Sequence, residues 1–213
     1  VSKETLRRWD NNGKLTPIRH PINNYRVYHK SQLVMFDEAK LMFNSLWDEE
    51  MSTKPKRQYN SIELFAGAGG LALGLEKAGF NTLMLNELGR DACWTLKRNR
   101  PQWNVVPGDI ANVSFVRYKD KVDLLSGGFP CQAFSYAGKK LGFEDTRGTL
   151  FYQFARAVKE TCPKVFIGEN VRGLFDHNDG KTLQTIKDVI AEIGYTLVSP
   201  RVLKAVFYMV PQK

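Results

Sequence analysis

The sequence predicts an α/β protein built on a mainly parallel sheet, with a small basic winged unit in front of it. Three observations carry this. From Tyr59 onward, apolar strand-like runs alternate with segments of helical period. The first run empties into the glycine-rich stretch Ala66-Gly67-Ala68-Gly69-Gly70. Two others end in loops rich in reactive or polar residues, Gly127-Gly128-Phe129-Pro130-Cys131 and Glu169-Asn170-Val171.

The 213 residues, 43% hydrophobic and 25% charged, can bury one full core plus a small appendage. A net charge of +9 and a pI near 9.5 favour a polyanionic partner. Cys93, Cys131 and Cys162 are too few and too unevenly spaced for a disulfide framework or a paired zinc site, which implies a reducing compartment. No apolar run approaches the roughly 20 residues needed to span a bilayer, and the start lacks a signal pattern, so a soluble cytoplasmic protein is expected. The chain opens on Val1 and stops at Lys213 inside a strand-like segment, and both ends are expected to be cut.

Residues 2–12 read as a short helix, with Ser2 as cap, Glu4 in the first turn and Leu6 and Trp9 on an apolar face. Asn11-Asn12-Gly13 stops it. Pro17 and Pro21 keep residues 15–28 extended, and Asn23-Asn24 supplies a turn before Tyr25 and Val27, so a helix is followed by a small hairpin. Residues 1–33 hold seven basic and two acidic side chains, more than half of the net charge. Residues 31–51 continue as an amphipathic helix able to bury against the first unit or a second copy, which makes a homodimer one expectation. Residues 52–58, with Pro55, form a linker. Beyond it, strands are predicted at 61–65, 82–86, 122–126, 164–168 and 196–203, and before Gly108. Helices are predicted at 71–78, 90–99, 149–160 and 181–193.

Gly67, Gly69 and Gly70 allow a sharp bend from strand to helix and close approach of a ligand, as in nucleotide-binding sheets. The same turn also serves a nicotinamide or flavin site, or packing alone. Phe65 offers an aromatic face to a sulfonium or an adenine. Glu87 ends the second strand, where an acid commonly holds a ribose diol, and Asp109 follows the third; taken alone, each is more often an ordinary capping or loop acid. Cys131 leaves an apolar strand, where a cysteine is either a small core residue or a nucleophile. Pro130 stiffens its loop, and Gln132 and Ser135 are polar donors suited to a nucleic-acid backbone. Glu169 is delivered by another apolar strand to the same sheet edge.

These motifs, in this order, resemble the cytosine carbon-5 DNA methyltransferases over residues 60–213. The resemblance implies a Rossmann-like class I S-adenosylmethionine-dependent fold for residues 59–213. It makes Cys131 the nucleophile and Glu169 the acid at the cytosine ring. It places Phe65, Gly67, Gly69, Gly70, Glu87, Leu88, Asp109, Ile110, Pro130 and Leu150 around S-adenosylmethionine, and leaves S-adenosylhomocysteine as product. Gln132, Ser135 and Lys139 would touch DNA, from which the target base must be flipped. The segments that read sequence in that family lie beyond Tyr208-Met209-Val210-Pro211-Gln212-Lys213, so the chain alone is expected to be nearly inactive, completed by further chain or by a second subunit. Thr5-Leu6-Arg7-Arg8-Trp9 with Gly13, Pro17, Arg19 and Tyr25-Arg26-Val27-Tyr28 resembles the winged helix-turn-helix of MerR-type DNA-binding domains, its first helix missing. That implies DNA contacts from Arg7, Arg8, Lys14 and Arg26 within residues 1–51; a basic solvated cap is the alternative. The expected function is DNA cytosine-5 methylation in a bacterial restriction-modification system. A tRNA methyltransferase and a DNA-binding regulator are the alternatives.

Overall fold

The structure, a computed structural model, describes residues 2–36, 39, 49, 52–130, 149–208 and 210. The chain divides into two compact units, Val1–Thr53 with Val202–Lys213, and Lys54–Arg201. The sequence reading assigns 202–213 to the sheet unit; the contacts group them with the first.

In the first unit, α1 (Lys3–Asn11) is capped by the Ser2 hydroxyl, which accepts from the Thr5 amide at 3.2 Å. Gly13, at φ +70°, turns the chain away from it. Strands β1 (Ile18–Arg19) and β2 (Arg26–Val27) pair antiparallel, and Asn24 takes the left-handed conformation in the turn between them. Trp9 stacks on Phe36 at 4.8 Å, and the Lys14 ammonium lies 4.7 Å from the Trp9 ring centre. Helix and hairpin are those the sequence predicts, but a winged-helix domain is not shown among the described residues. The long helix expected over 31–51 lies mostly outside them; what they show there is the four-residue helix α2 (Lys30–Leu33), capped by His29 and followed by a turn at 34–36.

In the second unit, β3 (Tyr59–Leu64), β4 (Phe80–Glu87), β5 (Val105–Pro107), β6 (Leu124–Gly127) and β7 (Val165–Gly168) form one parallel sheet in the order β5-β4-β3-β6-β7. Helices α3 (Gly70–Lys77), α4 (Arg90–Asn99), α5 (Leu150–Thr161) and α6 (Lys181–Glu192) supply its layers. Period-2 alternation sorts the central strands. Ile62, Leu64, Met84 and Leu125 join Phe151, Phe154 and Val158 of α5 and Ile186, Val189 and Ile190 of α6 in the main core. Leu85 packs with Ala72 of α3 and Cys93 and Leu96 of α4 in a second cluster. Each of these fully buried large side chains contributes about 1.5–3 kcal/mol.

The strand starts are pinned by Asp123. Its carboxylate accepts from both Arg57 terminal nitrogens, from Lys164 and from the Asn60 amide, which together hold its pKa far below the carboxylate range. The strand predicted at 196–203 is absent: this segment carries no ladder. Pro200 has no amide proton to donate, and although Leu197 packs against the main core, Val198 is 80% exposed.

Candidate active site

The strand order decides what can meet. β3, β6 and β7 are adjacent and parallel, so the chain leaves all three at one sheet edge: the glycine-rich turn from β3, the loop toward Cys131 from β6, and Glu169 from β7. Ligands of open α/β sheets bind at such carboxyl ends. A cavity of about 890 Å³ among Arg57, Asp123 and Lys164 opens at the opposite ends of the strands, away from these residues.

Past β3 the backbone is forced into unusual conformations. Phe65 itself sits at φ +57°, a conformation costly for an aromatic residue, followed by Gly67 at φ +54° and Gly69 at φ +88°. A Cβ on Gly69 would stand 2.5 Å from a Leu96 methyl and 3.2 Å from the Trp103 ring, so only glycine fits there. Gly70, with an ordinary φ and open space around its Cα, opens α3 without such a demand. We expect Gly69→Ala to lose about 2–3 kcal/mol in urea unfolding, from the left-handed backbone and the crowding together, with a fall in cofactor affinity.

Glu87 holds this turn from the side: one carboxylate oxygen accepts from the Gly67 amide and the other from the Gly89 amide, both at 2.7 Å. Asn86, 2% exposed, donates to the carbonyls of Val106 and Gly108 and so fixes the turn before Asp109. Asp109 in turn caps a 3₁₀ turn by accepting from the Ala111 amide at 2.9 Å. It borders a cavity of about 460 Å³ with Gly108, Asn112 and Val113, large enough for a nucleobase. Leu88 is 70% exposed beside Glu87, whereas the Ile110 side chain is buried in the main core. Leu150, 36% exposed, opens α5.

Gly127 pairs with Gly168, the last residues of β6 and β7, which brings the two exit loops side by side. The Glu169 amide donates to the Gly127 carbonyl at 3.0 Å, and its carboxylate lies 3.0 Å from where a Cβ of Gly128 would be, so the bare glycine gives it room. Asn170 donates to the Phe129 carbonyl at 2.7 Å, tying the Glu169 loop to the loop that leads through the exposed Pro130 to position 131. Cys131, Gln132, Ser135 and Lys139 themselves lie outside the described residues. In the first unit Arg7, Arg8 and Lys14 are exposed, and Arg26 is paired with Asp10 at 3.1 Å.

Sequence reasoning missed three polar residues. Glu63, 4% exposed in the central strand, has an oxygen with no hydrogen-bond partner among the described residues, and burial pushes its pKa up to about 7. Its signal was an acid between Ile62 and Leu64. Asn86 could have been found as an amide inside an apolar strand, and Arg156 as a cation flanked by Ala155 and Ala157. A strained turn, acids at two successive strand ends and an unmatched buried carboxylate fit a nucleoside ligand that carries positive charge, as S-adenosylmethionine does.

Residues 59–213 match the family model described as C-5 cytosine-specific DNA methylase. The whole chain is 62% identical to Type II methyltransferase M.Eco47II of Escherichia coli and 55% identical to Type II methyltransferase M.PspPI of Psychrobacter sp. (strain TA137). It covers 51% of each, so the chain spans about half the length of these curated relatives. A crystal structure described as a prophage-encoded DNA modification methyltransferase from E. coli aligns with 63% of this chain and 38% of its own, at TM-score 0.50 and 29% identity. No helix among the described residues is long and apolar enough to cross a membrane.

Proposed function

The chain belongs to the C-5 cytosine-specific DNA methylase family, and from that premise we propose that it provides the catalytic half of an enzyme methylating carbon 5 of cytosine in duplex DNA, as part of a restriction-modification system. The observation that supports this best is the common exit edge of β3, β6 and β7, which gives the cofactor turn, the Cys131 loop and Glu169 one neighbourhood.

Carbon 5 of cytosine is a poor nucleophile until something adds at carbon 6. The Cys131 thiolate is suited to that addition, and the Glu169 carboxyl to holding a proton at ring nitrogen 3, where charge would otherwise build up. Bound S-adenosylmethionine supplies an electrophilic methyl group. Phe65, Gly67, Glu87, Asp109 and Leu150 would hold it, Glu87 at the ribose and Asp109 at the adenine. Transfer of the carbon 5 proton to water and expulsion of the thiolate would then restore the ring and the enzyme. The target base has to leave the helix to reach these groups, at a cost of a few kcal/mol. Gln132, Ser135 and Lys139 on the loop beyond Cys131, and Arg7, Arg8 and Lys14 on the N-terminal unit, are the contacts we assign to offsetting that cost. The remaining half of the relatives' length would supply sequence recognition, as further chain or as a second subunit.

The test is methylation with labelled S-adenosylmethionine, offered duplex DNA and tRNA in parallel, by the protein together with a C-terminal half from a relative. Label is expected at carbon 5 of cytosine in DNA, and Arg7→Ala/Arg8→Ala should raise the DNA concentration needed for half-maximal rate. Label in tRNA alone would overturn the choice of substrate.

A further inference from the structure

We propose that Arg156, together with Glu160, sets how tightly the chain holds the adenosine end of its methyl donor, by locking the loop 109–115 onto the helix that begins at Leu150. This rests on the reading above, in which Asp109 and Leu150 face the cofactor.

The loop after β5 makes no strand ladder, and its own backbone bonds are short-range: Asn112 to Asp109 and Val113 to Ile110. Its Ile110 and Phe115 side chains are buried in the main core, and the longer-range bonds to its backbone come from α5. One terminal nitrogen of Arg156 donates to the Ile110 carbonyl at 2.9 Å and the other to the Val113 carbonyl at 3.0 Å. The second also donates to one oxygen of Glu160 at 2.9 Å, while Nε donates to Gln153 at 2.8 Å. The other Glu160 oxygen accepts from the Phe115 amide at 3.0 Å, and the guanidinium lies 5.1 Å from the Phe115 ring centre. Three backbone groups between positions 110 and 115 are thus taken up by two side chains one helical turn apart.

Both side chains are largely buried, at 19% and 26% exposure, so these bonds are poorly replaced by water. The planar fork matters, because two carbonyls three residues apart must be met at once by one side chain already committed to Glu160; a lysine ammonium is a point charge and cannot span them in the same way. Asp109 stands at the hinge of this clamp. Its carboxylate caps the turn whose next carbonyl, that of Ile110, Arg156 holds, so freeing the clamp lets the acid drift from the position a ligand needs. Misplacement by an ångström is enough to weaken a preorganised contact severely. Arg156 is a positioning residue in this account, since it acts through Asp109.

The experiment measures S-adenosylhomocysteine affinity by calorimetry for the full chain and for Arg156→Gln, Arg156→Lys, Asp109→Ala and the double variant Arg156→Gln/Asp109→Ala. It is run at a temperature where circular dichroism shows each fully folded. We expect each of the two non-conservative single variants to weaken binding about tenfold, Arg156→Lys to recover only part of the loss, and the double variant to be little worse than the poorer single. If Arg156→Gln does not fold, Arg156→Lys against wild type carries the same comparison. Affinity within twofold of wild type for the Arg156 variants, with Asp109→Ala weakened, overturns the clamp and leaves the site reading intact. Unchanged affinity in Asp109→Ala overturns the site reading, and the clamp with it. Strictly additive losses in the double variant overturn the claim that Arg156 works through Asp109.

Discussion

Replacing Cys131 by serine is expected to reduce methyl transfer by about 10⁴-fold or more while S-adenosylmethionine affinity stays within about threefold, because the two functions lie on different strand exits. The substitution is nearly isosteric, so the loop loses little packing. What it loses is a nucleophile that can reach its anionic form near neutrality, since a serine hydroxyl has no comparable access to its alkoxide. The groups proposed to hold the cofactor, by contrast, hang from β3, β4 and the loop after β5, and the bonds that fix Glu87 and Asp109 among the described residues run to backbone amides of these same exits. Covalent capture on DNA carrying 5-fluorocytosine checks the chemistry directly: the wild-type enzyme should be trapped and the serine variant should not. Loss of cofactor binding in step with activity would instead mark Cys131 as a packing residue.

Glu169 stands in a different relation to the sequence. That an acid follows an apolar strand is readable from residues 164–169, but its nearness to the Cys131 loop depends on β6 and β7 being neighbours, which no local pattern states. The alternation of strands and helices was legible because long apolar runs and period-2 sorting act locally. The segment 196–203 misled for the same reason: Leu197, Val198, Val202 and Leu203 give it strand composition, yet Pro200 interrupts any ladder and no described strand pairs with it. For Arg156, Glu160 and Asn86 it was the role that stayed illegible, although Arg156 and Asn86 stand out as polar residues among apolar neighbours. Their partners lie roughly 20 to 46 positions away, and a polar side chain on a helix or strand reveals its role only when the fold shows which carbonyls it meets. Glu63 is intermediate, since its chemical oddity is visible in sequence and its lack of a partner is not.

Glu63 therefore carries the second large expectation, a pH dependence of stability that Glu63→Gln should remove. Its pKa rises from an ordinary 4.5 to about 7 because burial penalises the charged carboxylate. Below pH 4.5 the acid is protonated in both the folded and unfolded chain and costs nothing. As pH rises from 4.5 to 7 the unfolded state loses its proton first, binds fewer protons than the folded state, and gains on it, so stability falls across this window. Above pH 7 both forms are ionised and the loss levels off, on the order of 3 kcal/mol for a shift of this size. Glutamine keeps the shape and removes the ionisation. Urea unfolding should thus find the variant and the wild type close together at pH 4.5 and the variant more stable by up to about 3 kcal/mol at pH 8. Every other titrating group cancels in that difference. Parallel stability curves for the two proteins from pH 4.5 to 8 would mean that the Glu63 carboxyl titrates alike in the folded and unfolded chain, and the buried acid would then impose no pH-dependent cost on the fold.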